Sequence, residues 1–244
     1  MKQIWPIFKR EFAAYFATPL AYVFIVIFLV AMGTFTFYIG HFYDNGIADL
    51  SMFFVYHTWL YLFLVSAIAM RLWAEERRTG TMELLLTLPV PIWAAVVGKF
   101  LAAWAFTGVA LALTFPIWIT VNYLGNPDNG VILASYLGSL LMAGGYLAIG
   151  SCISATTNNQ VIAFVVSVVV CFLFTVSGAP MVIDFFQAFA PLLLVNAISS
   201  FSFLTHFAAI AAGVVDLRDV IYFGSVIALF LTINVIIIDV KKAG

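Results

Sequence analysis

Long runs without any charged side chain are the feature that most constrains this chain. No Asp, Glu, Lys or Arg occurs within residues 12–43, 50–70, 100–127, 129–183, 185–215 and 220–238. Crossing the hydrocarbon core of a bilayer takes about 20 mostly apolar residues of helix. A helix satisfies its backbone hydrogen bonds internally, so it is the structure that isolated runs of this kind adopt in lipid. The runs therefore predict an all-α, polytopic membrane protein.

The composition excludes the other broad classes. Of the 244 residues, 65% are hydrophobic and 9% are charged, whereas about 25% are charged in a soluble domain. A water-soluble globule of this composition would expose large apolar patches, and disorder requires low hydrophobicity with high charge. The apolar residues come in runs rather than in alternation, which disfavours a transmembrane β-barrel.

The positions of the runs predict six spans. The run 129–183 is too long for one span and is interrupted by the polar stretch 156–160, so we interpret it as two helices joined by a turn. We expect a single transmembrane domain over 1–244, with spans at about 19–40, 53–71, 96–121, 131–154, 161–179 and 219–239.

The distribution of charge predicts the orientation. With six spans and a cytoplasmic N-terminus, every Lys and Arg except Arg218 faces the cytoplasm, as the positive-inside rule requires. A seventh span through 185–215 would place Lys241 and Lys242 outside. We therefore expect both termini inside (N-in/C-in) and an apolar, re-entrant helical hairpin at 180–218 on the outer side. The acidic residues expected outside are Asp44, Asp49, Asp128, Asp184, Asp216 and Asp219.

Residues 1–17 predict an amphipathic helix on the membrane surface. On a helical wheel its aromatic residues fall on one face, opposite a basic face, which suits rings in the acyl boundary and cations near anionic headgroups. Thr18-Pro19 should end the helix. The helix is either a plain anchor or an elbow that also contacts a cytoplasmic partner. The candidate membrane-surface residues are Trp5, Phe8, Lys9, Arg10 and Phe12.

The segment 72–92 is the one inner loop that is long and charged. It predicts a charged extension of the second span, a stop at Thr79-Gly80, and a short Leu-rich coupling helix at 81–88 that ends before Pro89. This short helix must bury its leucines, either against the first helix and lipid or in a groove of a cytoplasmic subunit. The candidate coupling residues are Glu75, Glu76, Arg77, Arg78, Gly80, Thr81, Met82, Glu83 and Leu84.

The expected spans carry no Asp, Glu, Lys or Arg at their centres, which disfavours an ion-coupled carrier. His57 and the weakly polar stripe Ser167, Cys171 and Thr175 are candidate cavity-lining residues. For His57 the favoured interpretation is a satisfied histidine near the outer interface, whereas the stripe faces either a cavity or another helix. Neither cysteine has a metal-binding or disulfide spacing. The sequence contains no P-loop, no nucleophile elbow and no basic patch for nucleic acid. We therefore expect no catalytic residue, no metal and no cofactor in this chain.

The stretch EERRTGTMELLLTLPV at 75–90 resembles the coupling segment between spans two and three of type-2 ABC transporter permeases. The gliding-motility-associated permeases are the nearest subgroup, and the start FKREFAAYFATPLAYVF at 8–24 and the six spans extend the resemblance over the chain. It implies an export-type permease subunit of a prokaryotic inner membrane that works with a separate cytoplasmic ATPase, which binds ATP and Mg. It also implies a second permease copy or a companion membrane subunit. A self-sufficient channel or secondary carrier is the alternative, and an intramembrane enzyme is the least favoured.

Overall fold

The computed structural model of the chain describes residues 3–44, 46, 48–82, 90–187 and 191–242. All regular structure in these residues is helical, as the apolar runs predict. We number the described helices α1 (Ile4–Phe16), α2 (Pro19–Gly33, continued by a π-helix at Thr34–Ile39), α3 (Ser51–Ala69), α4 (Arg71–Thr79), α5 (Ile92–Ala112), α6 (Phe115–Leu124), α7 (Asn129–Ser154), α8 (Gln160–Val176), α9 (Pro180–Gln187), α10 (Leu192–Ser199), α11 (Phe203–Ala211) and α12 (Leu217–Lys242).

The lengths of the helices are those of a multi-pass membrane protein. Five stretches among the described residues are long and apolar enough to span: Pro19–Ile39, Ser51–Thr79, Ile92–Leu124, Asn129–Ser154 and Leu217–Lys241. Two bent pairs raise the number to as many as seven, α8 with α9 at 74° and α10 with α11 at 62°. The range includes the expected six. The count of six and the orientation stay predictions.

Local sequence explains where the first two helices meet. Thr18 has extended backbone angles, and Pro19 takes the first position of α2, where its missing N–H costs nothing and its fixed φ suits a helix. The predicted break at Thr18-Pro19 is confirmed. Because α1 ends there, it can take a direction different from the span that follows it.

The helix α7 lies at the centre of the bundle. It packs against α3, α4, α5, α8, α11 and α12, and its residues from Met142 to Cys152 are all buried. Small side chains along this stretch let neighbouring helix backbones approach closely. A structural change at either end of α7 would therefore affect most of the helices packed against it.

Charge is divided between the two ends of the bundle. The end at which α7 finishes holds the cations of α1 and α4 together with Lys99 and Lys241, and we call it the basic end. The opposite end holds the start of α7 at Asp128 and the start of α12 at Asp219. This separation follows the sequence expectation, with the basic end as the predicted cytoplasmic side.

The side chain of His206 joins one helix of the region 180–218 to the last span. His206 of α11 lies with Nδ1 2.6 Å from Asp219 Oδ1 and Nε2 3.1 Å from the carbonyl oxygen of Ser200. The carboxylate of Asp219 and the carbonyl oxygen of Ser200 can each accept a hydrogen bond from the ring. It stacks on Tyr222 of α12 at 3.9 Å between centroids. One side chain thus joins α11 to the first turn of α12.

Replacing Asp219 by Asn should loosen this attachment. A hydrogen bond to a charged group contributes roughly 1.5–3 kcal/mol, so amide hydrogen exchange in 203–211 should become about tenfold faster or more. Asp184→Asn, at an exposed position of α9, is the matched control and should leave exchange there unchanged. Equal exchange in Asp219→Asn and the unaltered chain would show that this contact does not hold α11.

Candidate functional site

A buried lysine at the basic end binds two carboxylates from two different helices. Lys99 lies in the second turn of α5, and its side chain is only 3% exposed. Its Nζ is 3.0 Å from Oε2 of Glu11 on α1 and 2.5 Å from Oε1 of Glu76 on α4. We call Glu11, Lys99 and Glu76 the charge junction. It brings together three helices that are far apart in the sequence.

The junction compensates for the burial of the ammonium group. Moving an unpaired charge out of water costs several kcal/mol, and only well-placed partners offset that cost. Lys99 has two carboxylates, and its Nζ also lies 5.5 Å from the ring centroid of Trp73, within reach of a cation–π interaction. The position of Lys99 therefore depends on α1 and α4 both being docked.

The charges around Glu11 keep its carboxylate ionised. Burial raises the pKa of Glu11, but the charge of Lys99 and the hydrogen bonds from Arg10 and Lys99 outweigh burial, so the pKa is lowered overall. Arg10 Nη2 lies 2.7 Å from Oε1 of the same carboxylate. A lowered pKa means that Glu11 stabilises the fold at neutral pH and that this contribution is lost only as the pH falls through the lowered value.

A small cavity lined by both charged and apolar side chains lies beside the junction. It has a volume of about 220 Å³ between α1, α4 and α5. Its wall includes Arg71 and Glu75, which form a two-point pair with Nε–Oε2 at 2.6 Å and Nη2–Oε1 at 3.1 Å. Such forked pairs hold their geometry better than single contacts do. The cavity therefore places this second ion pair beside the charge junction.

A serine hydroxyl of α7 forms hydrogen bonds on both sides of the break between α3 and α4. The first N–H groups of a helix have no partner within it. Here Ser154 Oγ accepts hydrogen bonds from the backbone N–H of Trp73 at 3.1 Å and of Ala74 at 3.0 Å. It donates to the carbonyl oxygen of Met70 at 2.8 Å. One serine of α7 therefore bonds to both sides of the break.

Further bonds connect α4 and α12 to the same end of α7. Ser151 Oγ accepts from Trp73 Nε1 at 3.3 Å and from Asn234 Nδ2 at 2.8 Å. The carbonyl oxygen of Ala155 accepts from Arg77 at 3.0 Å and from Lys241 at 3.2 Å. Cations suit this place because the C-terminus of a helix carries partial negative charge. Displacement of α4 would therefore be felt by α5, α7 and α12.

The charged residues predicted for coupling divide into inward and outward groups. Glu75, Glu76 and Arg77 all bind within the chain, to Arg71, Lys99 and the Ala155 carbonyl oxygen. Arg78 is exposed and forms no ion pair with the described residues. Of these four charged residues, Arg78 is therefore the one that lies on the exposed surface of α4.

The predicted stop of this helix is confirmed. Gly80 has φ +74°, in the left-handed region that glycine adopts without strain, and α4 ends at Thr79. Thr81 is exposed, and its hydroxyl donates to the carbonyl oxygen of Glu76 at 3.3 Å, while Met82 is buried. Glu83 and Leu84 lie outside the described residues, as does most of the predicted coupling helix 81–88.

The predicted membrane-surface residues form a continuous aromatic row on α1. Trp5 stacks on Phe8 at 5.3 Å and Phe8 on Phe12 at 5.6 Å between centroids. Lys9 and Arg10 are exposed. The helix thus has the two faces that the wheel predicts, and its place at the membrane surface stays a prediction.

The four predicted cavity-lining residues are all buried between helices. His57 lies among the rings of Phe28, Phe53, Phe54 and Tyr61. The residues of the α8 stripe, namely Ser167, Cys171 and Thr175, are also fully buried. Thr175 Oγ1 is 2.7 Å from the hydroxyl of Tyr146 on α7, and Cys171 Sγ is 3.9 Å from its carbonyl oxygen. In this conformation the stripe packs against α7.

The charge junction was not predicted from the sequence, although the sequence contains one indication of it. Lys99 is the only charged residue within the span predicted at 96–121. A charge inside a span needs a partner, but the partners, Glu11 and Glu76, lie far from it in the sequence. Ser154 gave no signal, because a serine among small residues on a span is usually a packing residue.

Comparison with known proteins gives one local similarity. The chain is 37% identical over 67 residues to heme exporter protein B of Paracoccus denitrificans, which is 28% of this chain and 31% of that protein. The chain thus spans about a third of the length of the curated relative it matches. No family model matches the chain. The similarity supports the resemblance to ABC transporter permeases on part of the chain.

Breaking the contact of Ser154 should destabilise the protein more than an equivalent change elsewhere on α7. Ser154→Ala leaves two N–H groups and one carbonyl without this partner, at about 1–3 kcal/mol for each group that stays unsatisfied. Ser135→Ala is the control, because its hydroxyl bonds mainly to Val131 within its own helix at 2.8 Å. Thermal unfolding in nanodiscs should show a clearly larger drop in Tm for Ser154→Ala. Equal drops would contradict the role assigned to Ser154.

Replacing Lys99 by Met should cost more than neutralising the whole junction. The single change leaves Glu11 and Glu76 without their shared cation, and breaking such a buried pair costs about 3–5 kcal/mol. The triple variant Glu11→Gln, Lys99→Met and Glu76→Gln leaves no buried charge unpaired, since Arg10, which loses Glu11, is exposed to solvent, and it should recover much of that loss. Free energies of unfolding, with Arg218→Met at an exposed position of the opposite end as the control, would measure both effects. A triple variant less stable than Lys99→Met would contradict the charge-pairing account.

Proposed function

We propose that this chain is the permease subunit of an ABC transporter of the export type, driven by a separate cytoplasmic ATPase. The observation that carries the proposal is the charge junction, which ties α4 to α1 and α5 where the segment 72–92 leaves the bundle. The local match to a heme exporter protein supports it. The ATP and its Mg ion would be bound by the partner, and this chain would hydrolyse nothing itself.

The contacts of α4 suggest how force would enter the spans. A push on 81–88 would act first on α4, which continues the second span beyond the break at Met70. From α4 it would pass through Glu76 and Lys99 to α5, and through Ser154 to α7. Rigid helices moving about a short break are a common means of switching between states. The break at Met70 would act as the hinge.

The Leu-rich stretch 81–88 would supply the docking surface for the ATPase. Its leucines need an apolar partner, and a groove on a cytoplasmic subunit would provide one. Arg78, which stays outside the internal ion pairs of α4, would set orientation by pairing with an acidic residue of that subunit. Glu76 and Arg77 would instead hold α4 to the rest of the chain, whereas Glu75 pairs with Arg71 inside α4.

The membrane setting follows from the same placement. The basic end would face the cytoplasm of a prokaryote, with six spans in its inner membrane, and the helices of 180–218 would lie outside. A second copy of the chain or a companion membrane subunit would complete the route. An apolar outer hairpin suits amphipathic cargo, and heme, which the relative's name gives as its cargo, is the first molecule to test.

The test is to purify the tagged chain from its native membrane in mild detergent and to identify the proteins that stay bound. A stoichiometric partner that carries a P-loop would support the proposal. A preparation that contains only copies of this chain in several mild detergents would contradict it. That result would favour the self-sufficient channel or carrier, which conductance or flux measurements on the reconstituted chain would then examine.

Reversing one exposed charge should weaken the partner complex. Arg78→Glu should lower the amount of bound ATPase roughly five- to tenfold, because a repelling charge replaces an attracting one at the interface. The matched control is Arg218→Glu, the same substitution at an exposed position of the opposite end, which should leave the complex intact. Quantitative mass spectrometry of both purifications measures the effect. An equal loss in the two variants would point to general instability rather than to a coupling surface.

A further inference from the structure

An apolar groove separates part of α1 from the spans beneath it. Its volume is about 530 Å³, within the range of roughly 300–1,000 Å³ that small-molecule sites occupy. Trp5 and Phe8 form the wall on α1, and Leu101, Trp104 and Gly108 form the wall on α5. The two helices touch beside the groove, since a Cβ on Gly98 would lie 2.8 Å from a methyl carbon of Ile7.

The walls of the groove suit a hydrocarbon. The indole N–H of Trp104 already donates to the carbonyl oxygen of Leu140 at 2.8 Å, so this polar atom needs no partner from a ligand. The rings of Trp5 and Phe8 stack at 5.3 Å and offer their edges and faces. Trp5 nonetheless stays 58% exposed, which leaves a large apolar surface of α1 without cover.

A cation stands at the rim of the groove. Lys9 Nζ lies 5.6 Å from the centroid of the Trp5 ring, and Lys9 is exposed and forms no ion pair with the described residues. Its neighbour Arg10 is also exposed, although it binds Glu11. An apolar groove with an ammonium group at its rim that has no ion-pair partner among the described residues suits an amphiphile with a hydrocarbon tail and an anionic head.

We propose that the groove binds one acyl chain of an anionic phospholipid of the inner leaflet, with the headgroup phosphate beside Lys9. The charge at the rim and the position of α1 beside the spans favour a lipid over a second protein chain, which would have to bury an unpaired Lys9. The proposal rests on α1 lying at the inner membrane surface and does not require an ATPase partner.

The bound chain would support the charge junction. It would fill the space between α1 and α5 one turn from Glu11, whose carboxylate binds Lys99. Because Lys99 needs α1 in place, an anionic lipid would favour the conformation in which α1, α4 and α5 are joined. The composition of the inner leaflet would then tune the mechanical link between these helices.

Native mass spectrometry of the purified chain tests the proposal with phosphatidylglycerol and phosphatidylcholine as probes. The unaltered chain should retain one phosphatidylglycerol molecule in preference to phosphatidylcholine. Lys9→Gln should reduce that preference roughly five-fold, the effect expected of one cation near a membrane surface. Arg218→Gln, at the opposite end, should leave it unchanged.

A second pair of variants tests the groove itself. Gly108→Leu places a side chain in it and should lower retention of both lipids at least tenfold, and Ala105→Leu does the same from the neighbouring position should the first variant fold poorly. Gly224→Leu is the control, because a Cβ there meets nothing within 4 Å.

Equal retention of both lipids by the unaltered chain would overturn the proposal, as would full retention in both groove-filling variants. A dimer that excludes lipid and is lost in Gly108→Leu would assign the groove to a second copy instead. Because the assay uses the chain alone, its result is independent of the ATPase proposal.

Discussion

The burial of one ammonium group sets the arrangement of the basic end. Lys99 can lie in the bundle at 3% exposure only because Glu11 and Glu76 bring it two negative charges. The carboxylates come from α1 and α4, two helices shorter than the spans they pack against. The electrostatic requirement of α5 therefore fixes the position of both shorter helices.

Hydrogen bonds between uncharged groups also connect α7 to α4. Ser154 satisfies backbone groups on both sides of the break at Met70, and Ser151 links Trp73 to Asn234 of α12. A backbone group without a hydrogen-bond partner costs free energy in an apolar interior. These contacts therefore stabilise the break at Met70. Together with the junction they connect α4 to α1, α5, α7 and α12.

The sequence predicted what depends on local pattern. Charge-free runs predicted the helices, Thr18-Pro19 the end of α1, and Gly80 the end of α4, because each follows from hydrophobicity or backbone preference near one position. It could not predict that Lys99 binds Glu11, 88 residues away, or that α8 and α9 meet at 74°. Such features depend on which helices become neighbours, and the pattern of one span carries no information about that.

The most direct test of this account is the distance between α1 and α4, measured by pulsed electron spin resonance. Spin labels at Ala13→Cys and Arg78→Cys, both exposed positions, would report on the two helices in nanodiscs, since Cys152 and Cys171 are buried. The account predicts one narrow distance distribution that broadens when Lys99→Met is added. A distribution that is already broad in the unaltered background, or one that Lys99→Met leaves unchanged, would show that the buried lysine does not hold these helices together.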